Sequence, residues 1–519
     1  FNEETMTILR NFLTCSALFL ALPAAAQVVY LHESDGYNGA INNKSLEPKI
    51  TCYPEGTSYI FLDDVRISNV KHDQEDAGVF INRSGNLFFM GNRCNFTFHN
   101  LMTEGFGAAI SNRVGDTTLT LSNFSYLAFT SAPLLPQGQG AIYSLGSVMI
   151  ENSEEVTFCG NYSSWSGAAI YTPYLLGSKA SRPSVNLSGN RYLVFRDNVS
   201  QGYGGAISTH NLTLTTRGPS CFENNHAYHD VNSNGGAIAI APGGSISISV
   251  KSGDLIFKGN TASQDGNTIH NSIHLQSGAQ FKNLRAVSES GVYFYDPISH
   301  SESHKITDLV INAPEGKETY EGTISFSGLC LDDHEVCAEN LTSTILQDVT
   351  LAGGTLSLSD GVTLQLHSFK QEASSTLTMS PGTTLLCSGD ARVQNLHILI
   401  EDTDNFVPVR IRAEDKDALV SLEKLKVAFE AYWSVYDFPQ FKEAFTIPLL
   451  ELLGPSFDSL LLGETTLERT QVTTENDAVR GFWSLSWEEY PPSLDKDRRI
   501  TPTKKTVFLT WNPEITSTP

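Results

Sequence analysis

The segment FRDNVSQGYGGAI, residues 195–207, contains the two short motifs that decide the fold of this chain. A phenylalanine is followed three residues later by an asparagine, and a small-residue tetrapeptide ending in Ala-Ile comes shortly afterwards. The pair recurs as FCGN at 158–161 with GAAI at 167–170, FENN at 222–225 with GGAI at 235–238, and FKGN at 257–260 with GNTI at 266–269. A further FxxN match begins at Phe89. The tetrapeptides, including degenerate copies, begin at residues 107, 139, 167, 204, 235 and 266. A period of this length predicts a stack of repeated coils.

The sequence between the motifs predicts that the coils are built from β-strands. Short apolar runs such as SVMI at 147–150 and YLVF at 192–195 alternate with Gly, Asn, Ser and Asp, which is typical of short strands separated by turns. We therefore predict an all-β fold, a right-handed parallel β-helix with loop excursions. One segment leaves the choice open, because residues 418–433 fit one short amphipathic helix as well as a β-coil with a longer excursion.

Each motif residue has a predicted structural role in such a stack. Glycine supplies a positive φ or room for a neighbouring backbone, alanine fits a crowded interior, and the isoleucine begins the next buried strand. We expect each FxxN phenylalanine to stack on the phenylalanines of adjacent coils. We expect the asparagine to adopt the left-handed conformation and to hydrogen-bond the next asparagine through its side-chain amide.

The charge of the chain excludes several classes of partner. The sequence has 34 basic and 57 acidic residues among 519, a formal net charge of −23, and no polybasic run. Nucleic acid, polyanionic glycans and anionic lipid surfaces would be repelled by this charge. We expect proteins or neutral glycans as partners.

The beginning of the chain predicts export. Residues 6–27 read MTILRNFLTCSALFLALPAAAQ, in which a basic start, an apolar stretch and a small-residue cleavage site follow one another. This order is typical of a secretory signal peptide, so we assign residues 1–26 to a leader and expect the mature chain to start at Gln27. Seven cysteines remain after the leader; Cys330 and Cys337 could form a hairpin clip, and isolated buried thiols explain the other five equally well.

The ordered alternation of FxxN and GGAI motifs resembles the chlamydial polymorphic membrane proteins, a family of autotransporters. The second half is also similar to the middle domain of that family, at SGVYFYDPI (290–298), YEGTISFSG (320–328), SFKQEASSTLTMSPGTTL (368–385) and LTWNP (509–513). The resemblance implies a β-solenoid passenger over 27–290 and a middle domain over 291–519. The family also carries a C-terminal outer-membrane barrel, and we expect that barrel to be absent from this chain.

What the resemblance implies about function is an adhesin or antigen that faces host cells. The protein would lie at the bacterial outer membrane or cell surface, or be secreted, with a host surface protein or glycan as partner and with homo-oligomers as an option. No nucleic-acid partner and no cofactor are expected. The binding residues that the family motif implies are Phe158, Asn161, Phe195, Asn198, Gly204, Gly205, Ala206, Ile207, Phe222, Asn225, Gly235, Gly236, Ala237, Ile238, Phe257 and Asn260.

Physical reasoning assigns these motif residues mainly to structure. Glycine and alanine have almost no side chain with which to recognise a ligand, whereas a coil corner requires them. We therefore expect adhesive surfaces on the solvent face of the coils or on loops such as 134–138 and 174–183.

Two alternatives to an adhesin are a polysaccharide-cleaving β-helix enzyme and a truncated, non-functional family member. Adjacent acids occur at Asp63 with Asp64 and at Asp332 with Asp333, but consecutive strand residues point to opposite faces, so we expect solvated loop acids and no catalytic residues. Three histidine pairs have spacings that could suit a metal, and we expect exposed loop histidines and no metal site. These pairs are His226 with His229, His270 with His274, and His300 with His304.

Overall fold

The computed structural model describes a stack of parallel β-coils. It describes residues 27–31, 37–38, 57–72, 79–103, 107–131, 140–174, 182–228, 234–264, 266–301, 306–329, 341–400, 406–429, 443–457, 464–467, 471–473, 480–494, 500–501 and 503–513. Within these ranges every regular element is a strand and no helix is present, which confirms the all-β prediction. Accordingly, the described part of the chain contains no helix that could span a membrane.

Three long ladders of parallel strands form the sides of the coils. The first is here called the isoleucine ladder, because in the repeat its strands begin with the isoleucine of the GGAI-type corners. Its strands are Phe80–Asn82, Ile110–Asn112, Ile142–Ser144, Ile170–Tyr171, the first part of Ile207–Thr216 and of Ile238–Val250, Ile273–Leu275 and Ile298–His300, followed by Thr342–Leu351, Thr363–Gln371, Thr384–Cys387, Val409–Ala413 and Phe445–Gly454.

The second side, the central ladder, receives the chain after the next corner. Its strands are Gln27–Leu31, Thr57–Phe61, Leu87–Met90, Thr118–Ser122, Ser147–Glu151, Ser184–Asn190, the later parts of Ile207–Thr216 and Ile238–Val250, Gln280–Ala286, Asp308–Ile311, the later parts of Thr342–Leu351 and Thr363–Gln371, Ala391–Ile400, Leu419–Phe429 and Ser456–Phe457. Strands that run through a corner from one ladder into the next shift register there, as between Thr209 and Asn211.

The third side, the phenylalanine ladder, carries the FxxN phenylalanines. Its strands are Tyr37–Asn38, Val65–Ser68, Asn95–His99, Tyr126–Thr130, Glu155–Cys159, Tyr192–Arg196, Ser220–Glu223, Asp254–Lys258, Gly291–Phe294, Thr323–Ser327, Thr355–Ser359, Thr376–Met379 and Glu464–Leu467, with Ala391–Ile400 and Leu419–Phe429 shared between this ladder and the central one. Residues of one coil pair with the same coil position of the next, for example Phe158 with Phe195.

Smaller sheets complete the fold. A corner sheet between the phenylalanine and isoleucine ladders comprises Tyr162–Ser163, Val199–Ser200, His226–Ala227, Thr261–Gln264 and the antiparallel Asn267–His270. Two further pairs are Lys71–His72 with Met102–Thr103 and Ser493–Leu494 with Ile500–Thr501. At the other end the stack finishes in antiparallel pairing of Gln471–Thr473, Arg480–Tyr490, Thr503–Pro513 and Phe445–Gly454.

The structure decides between helix and strand for part of residues 418–433, and it corrects two motif assignments. Leu419–Phe429 is a strand, so the helix alternative for 418–433 is wrong over these residues, and 430–433 lie outside the described ranges. The GNTI copy at 266–269 is not a coil corner, because Asn267–His270 folds back as a hairpin and Ile273 takes the ladder position beside Ile238. The FxxN match at Phe89 lies on the central ladder, where it pairs with Leu121.

Candidate binding surface

The phenylalanines of the repeat form one continuous stack inside the coils, as predicted. Neighbouring ring centroids are 4.6–5.1 Å apart and the ring planes differ by 2–18°. The stack comprises Phe98, Phe129, Phe158, Phe195, Phe222, Phe257, Phe294 and Phe326, all buried. Phe294 and Phe326 were not singled out by the motif, because no asparagine follows them three residues later. Face-to-face contact is imposed by identical register in successive coils.

The asparagines form a buried ladder of side-chain amides beside the phenylalanine stack. Nδ2 of Asn161 donates to Oδ1 of Asn198 (2.9 Å), and Asn198 donates in the same way to Asn225 (2.8 Å). Each of these asparagines also donates to a backbone carbonyl of the preceding coil, so both amide hydrogens are used. Such complete pairing allows these polar groups to be buried without a desolvation penalty.

The left-handed residue of the motif is the one before the asparagine, which corrects the sequence prediction. Gly160, Asp197, Asn224 and Gly259 have φ between 54° and 70°, whereas the laddered asparagines are not among the residues of positive φ. The turn at the third position directs the following asparagine inward, where its amide can reach the next coil.

The ladder ends at a carboxylate that the sequence did not reveal. Asp296 accepts hydrogen bonds from the Asn260 backbone N–H (2.7 Å), from Asn260 Nδ2 (2.9 Å) and from the Gly259 N–H (3.0 Å). Oδ2 accepts both hydrogen bonds from Asn260, whereas Oδ1 accepts the Gly259 N–H and lies 2.9 Å from His270 Nδ1. Asp296 follows Phe294 by two residues rather than three, and this altered spacing hid the equivalence with the motif asparagines.

The GGAI glycines are required by close backbone approach. A Cβ on Gly205 would lie 2.1 Å from the carbonyl oxygen of Gly236 and 2.6 Å from the His226 nitrogen. The first glycine of the motif has a positive φ, 68° at Gly204 and 77° at Gly235. Ala206, Ile207, Ala237 and Ile238 are fully buried. The motif side chains therefore point into the stack, and the binding role that the resemblance implies for them stays a prediction.

Exposed aromatic side chains occur on the outside of the corner sheet, between the FxxN and GGAI motifs. Trp165, Tyr203 and Tyr228 are 53%, 39% and 50% exposed. The Tyr203 N–H donates to Ser166 Oγ (3.0 Å), and the Tyr228 N–H donates to the Ser200 carbonyl (2.6 Å). These backbone contacts place the three residues on three successive coils, whose strands are about 4.8 Å apart along the stack. We call this set the aromatic ridge.

Several candidate groups from the sequence lie outside the described ranges, and the others are exposed or engaged by neighbours. Residues 134–138 and 175–181 lie outside the described ranges, as do Asp332, Asp333, His229 and His304. Asp63 and Asp64 are exposed, as expected, and Asp64 accepts both N–H and Nδ2 of Asn95. In the described ranges, no group of three or more His, Cys, Asp or Glu side chains gathers into a metal site.

The described cysteines are free thiols. Cys94, Cys159 and Cys221 are half-buried and Cys387 is buried, and burial raises the pKa of each thiol. The hairpin clip proposed for Cys330 and Cys337 lies outside the described ranges.

The expectation of exposed loop histidines is wrong for the described members of the three pairs, because His226, His270, His274 and His300 all lie on strands and none is exposed. The most buried of them is His274. It lies on the strand Ile273–Leu275, is only 5% exposed, and its Nδ1 is 2.8 Å from Ser299 Oγ. Burial, and then the neighbouring His300, lower the pKa of His274 to about 4. Burial also lowers the pKa of His300 to about 4. Both imidazoles are therefore neutral in the folded chain at pH 7.

We expect the stability of the coil stack to fall in mild acid. A histidine in the unfolded chain has a pKa near 6.5. Below that pH the unfolded chain therefore binds protons at positions 274 and 300, whereas both side chains stay neutral in the folded chain. The contribution of the two neutral histidines to the free energy of unfolding is complete above pH ~6.5 and is lost as the pH falls towards 4. The loss is about 3 kcal/mol for His274 alone. Urea unfolding at several pH values between 7 and 4 measures this loss.

The matched variant for this measurement is His274→Gln/His300→Gln, in which neither side chain titrates. The pH dependence of its unfolding free energy should be smaller than that of the unmodified chain. Equal pH dependence in the two proteins would contradict the assignment.

Comparisons with known proteins agree with this architecture. Residues 354–513 match the Chlamydia polymorphic membrane protein middle domain, and residues 155–173, 192–210 and 219–241 match the Chlamydia polymorphic membrane protein repeat. No solved structure matches the chain.

Curated relatives match along most of the sequence. The chain is 35% identical over 427 residues to probable outer membrane protein pmp2 of Chlamydia pneumoniae, which covers 79% of the chain and 50% of that relative. It is 27% identical to probable outer membrane protein pmp8 of the same organism, covering 93% of the chain and 61% of the relative. The chain thus spans about half to three fifths of the length of these relatives. With its repeat and its middle domain both matched, the chain belongs to the Chlamydia polymorphic membrane protein family.

Proposed function

We propose that this chain is the exported passenger part of an outer-membrane surface protein, and that it acts as an adhesin and antigen towards host cells. Its relatives are named as probable outer membrane proteins, which supports a place at the bacterial outer membrane or cell surface. In this proposal residues 1–26 are the leader, 27–290 the repeat passenger and 291–519 the middle domain. The partner is a host surface protein or glycan, and the chain has no enzymatic role.

The observation that carries the proposal is the aromatic ridge. Burial of Trp and Tyr side chains supplies much of the binding energy of protein interfaces. Aromatic side chains that contact no binding partner are usually buried within the protein itself. Here Trp165, Tyr203 and Tyr228 are exposed together on a rigid corner whose geometry is fixed by the buried motif residues. The repeat motif then serves adhesion indirectly, because it holds together the successive coils that carry the ridge.

The polysaccharide-cleaving alternative receives no such support. Among the described residues the exposed acid pair Asp63 and Asp64 lies in a bend, and the Asp64 carboxylate is engaged by Asn95. The buried Asp296 is engaged by the end of the asparagine ladder.

Beads coated with the purified chain test the proposal on cultured epithelial cells. Coated beads should bind above uncoated beads. The variant Trp165→Ala/Tyr203→Ala/Tyr228→Ala should bind roughly a hundredfold more weakly or less, since three buried interface aromatics at about 1–2 kcal/mol each total about 3–6 kcal/mol. The control is Phe482→Ala/Trp487→Ala/Tyr490→Ala, which removes three equally exposed aromatics from the far end of the stack. Unchanged binding by the ridge variant would contradict the ridge as the adhesive surface, and no binding by the unmodified chain would contradict adhesion itself.

A further inference from the structure

The outer surface of the phenylalanine ladder changes character where the repeat gives way to the second half. The strands Thr323–Ser327, Thr355–Ser359 and Thr376–Met379 read TISFS, TLSLS and TLTM, with a serine at 380 after the last. Their Ile, Leu, Phe and Met residues are buried, so the alternating Thr and Ser residues face outward. In the earlier coils the same outward positions carry Val194, Cys221 and Ile256.

These hydroxyl residues form a regular two-dimensional array. Thr323, Thr355 and Thr376 pair across the three strands and form one row. Two residues further along each strand, Ser325, Ser357 and Thr378 form a second row. Hydroxyls are therefore spaced about 4.8 Å from coil to coil and about 6.6 Å along each strand. We call this surface the hydroxyl array.

The hydroxyls of the array are not used by the fold. In the described part of the chain, these six side chains make no hydrogen bond to another protein group. Ser325 is only 9% exposed and still donates to no protein acceptor there, so its hydroxyl faces outward without a partner. A hydroxyl without a protein partner, on a residue that is about nine-tenths buried, indicates a place where a ligand or ordered water completes the hydrogen bonding.

An aromatic ring borders the array on its repeat side. Tyr293 pairs with Ser325, and its ring lies beside Gly291, where a Cβ would be 2.4 Å from the ring carbon Cε2. Glycine at 291 thus leaves room for the half-exposed ring beside Thr323. A half-exposed ring at the border of the array can contact a ligand that lies on the sheet.

The array carries no charge of its own, and the carboxylates at its border are engaged. No outward position of the three strands holds Asp, Glu, Lys or Arg. Asp254 accepts the Gly291 N–H (2.9 Å), and Asp360 accepts the hydroxyls of Ser327 and Ser359. With the net charge of −23, these carboxylates disfavour a sulfated or sialylated ligand.

We propose that the hydroxyl array with Tyr293 is a binding site for a neutral, extended oligosaccharide. The sugar chain would lie along the stack, across the strands, where the coil spacing is comparable to the length of one pyranose unit. One pyranose ring would place its C–H face on Tyr293, and the following sugar hydroxyls would exchange hydrogen bonds with Thr355, Ser357 and Thr378. This site is separate from the aromatic ridge and does not rest on it.

Isothermal titration of the full chain with a neutral poly-N-acetyllactosamine hexasaccharide tests the site, and its fully sialylated counterpart serves as the charged probe. The neutral probe should bind, and Tyr293→Ala should weaken it roughly tenfold, which corresponds to one stacked ring. Thr355→Val/Thr378→Val removes two of these hydroxyls without changing side-chain shape and should weaken binding about fivefold or more. Strand propensity is retained in this second variant, so it folds even if Tyr293→Ala does not.

Two controls make the outcome decisive. Thr363→Val/Thr384→Val changes equivalent threonines on the isoleucine ladder, and the aromatic-ridge variant changes exposed rings elsewhere; both should bind the neutral probe like the unmodified chain. No binding of the neutral probe, equal or tighter binding of the sialylated probe, or equal loss in the isoleucine-ladder control would overturn the proposal. Loss of cell adhesion with retained glycan binding would affect the proposed function alone.

Discussion

Replacement of Gly205 by alanine is expected to destabilise the repeat coils by about 3 kcal/mol or more, because a Cβ at this position meets backbone atoms that cannot move away independently. The clash distances are 2.1 Å to the Gly236 carbonyl oxygen and 2.6 Å to the His226 nitrogen. Both belong to the next coil, so relief of the clash requires separation of two hydrogen-bonded coils. Urea unfolding followed by circular dichroism measures the loss.

The control for Gly205→Ala is Gly389→Ala. Gly389 also has no positive φ, but the nearest atom to its added Cβ is the His367 carbonyl oxygen at 3.3 Å. We expect this change to alter the unfolding free energy by less than about 1 kcal/mol. A Gly205→Ala variant as stable as Gly389→Ala would show that the corner has more room than the coil geometry indicates.

Replacement of Asn225 by leucine is expected to cost about 4 kcal/mol, because it opens the asparagine ladder at its centre. Asn225 Oδ1 accepts both the Nδ2 (2.8 Å) and the backbone N–H (3.2 Å) of Asn198, and its own Nδ2 donates to the Phe195 carbonyl (2.9 Å). All three partners are buried, and each buried polar group left without a partner costs about 1–3 kcal/mol. The same urea unfolding experiment measures the effect.

Asn283→Leu is the matched control for this change. Asn283 is half-buried on the central ladder, and its Nδ2 makes one long contact of 3.5 Å with Ser247 Oγ. Its replacement should cost less than about 1 kcal/mol. If the two leucine variants unfold at the same urea concentration, the amide ladder is not a major source of stability.

Much of this architecture could be predicted from the sequence, because a repeat forces identical contacts in every coil. The phenylalanine stack and the amide ladder follow directly from the spacing of FxxN. The left-handed residue was misplaced by one position, since the motif does not distinguish the residue that turns from the residue that points inward. GNTI at 266–269 resembles a corner in composition but forms one strand of a hairpin. The buried position in the isoleucine ladder beside Ile238 is occupied by Ile273 instead.

The sequence by itself determined the coiled β-architecture, the family, and the structural role of the motif phenylalanines, asparagines and glycines. These properties depend on local periodicity, which is written into the order of residues. Only the tertiary structure placed Asp296 at the end of the amide ladder, buried His274, and gathered the aromatic ridge and the hydroxyl array on its surface. The physical reason is that these groups are neighbours across coils, 20 or more residues apart in the chain, where register and loop length decide which side chains meet.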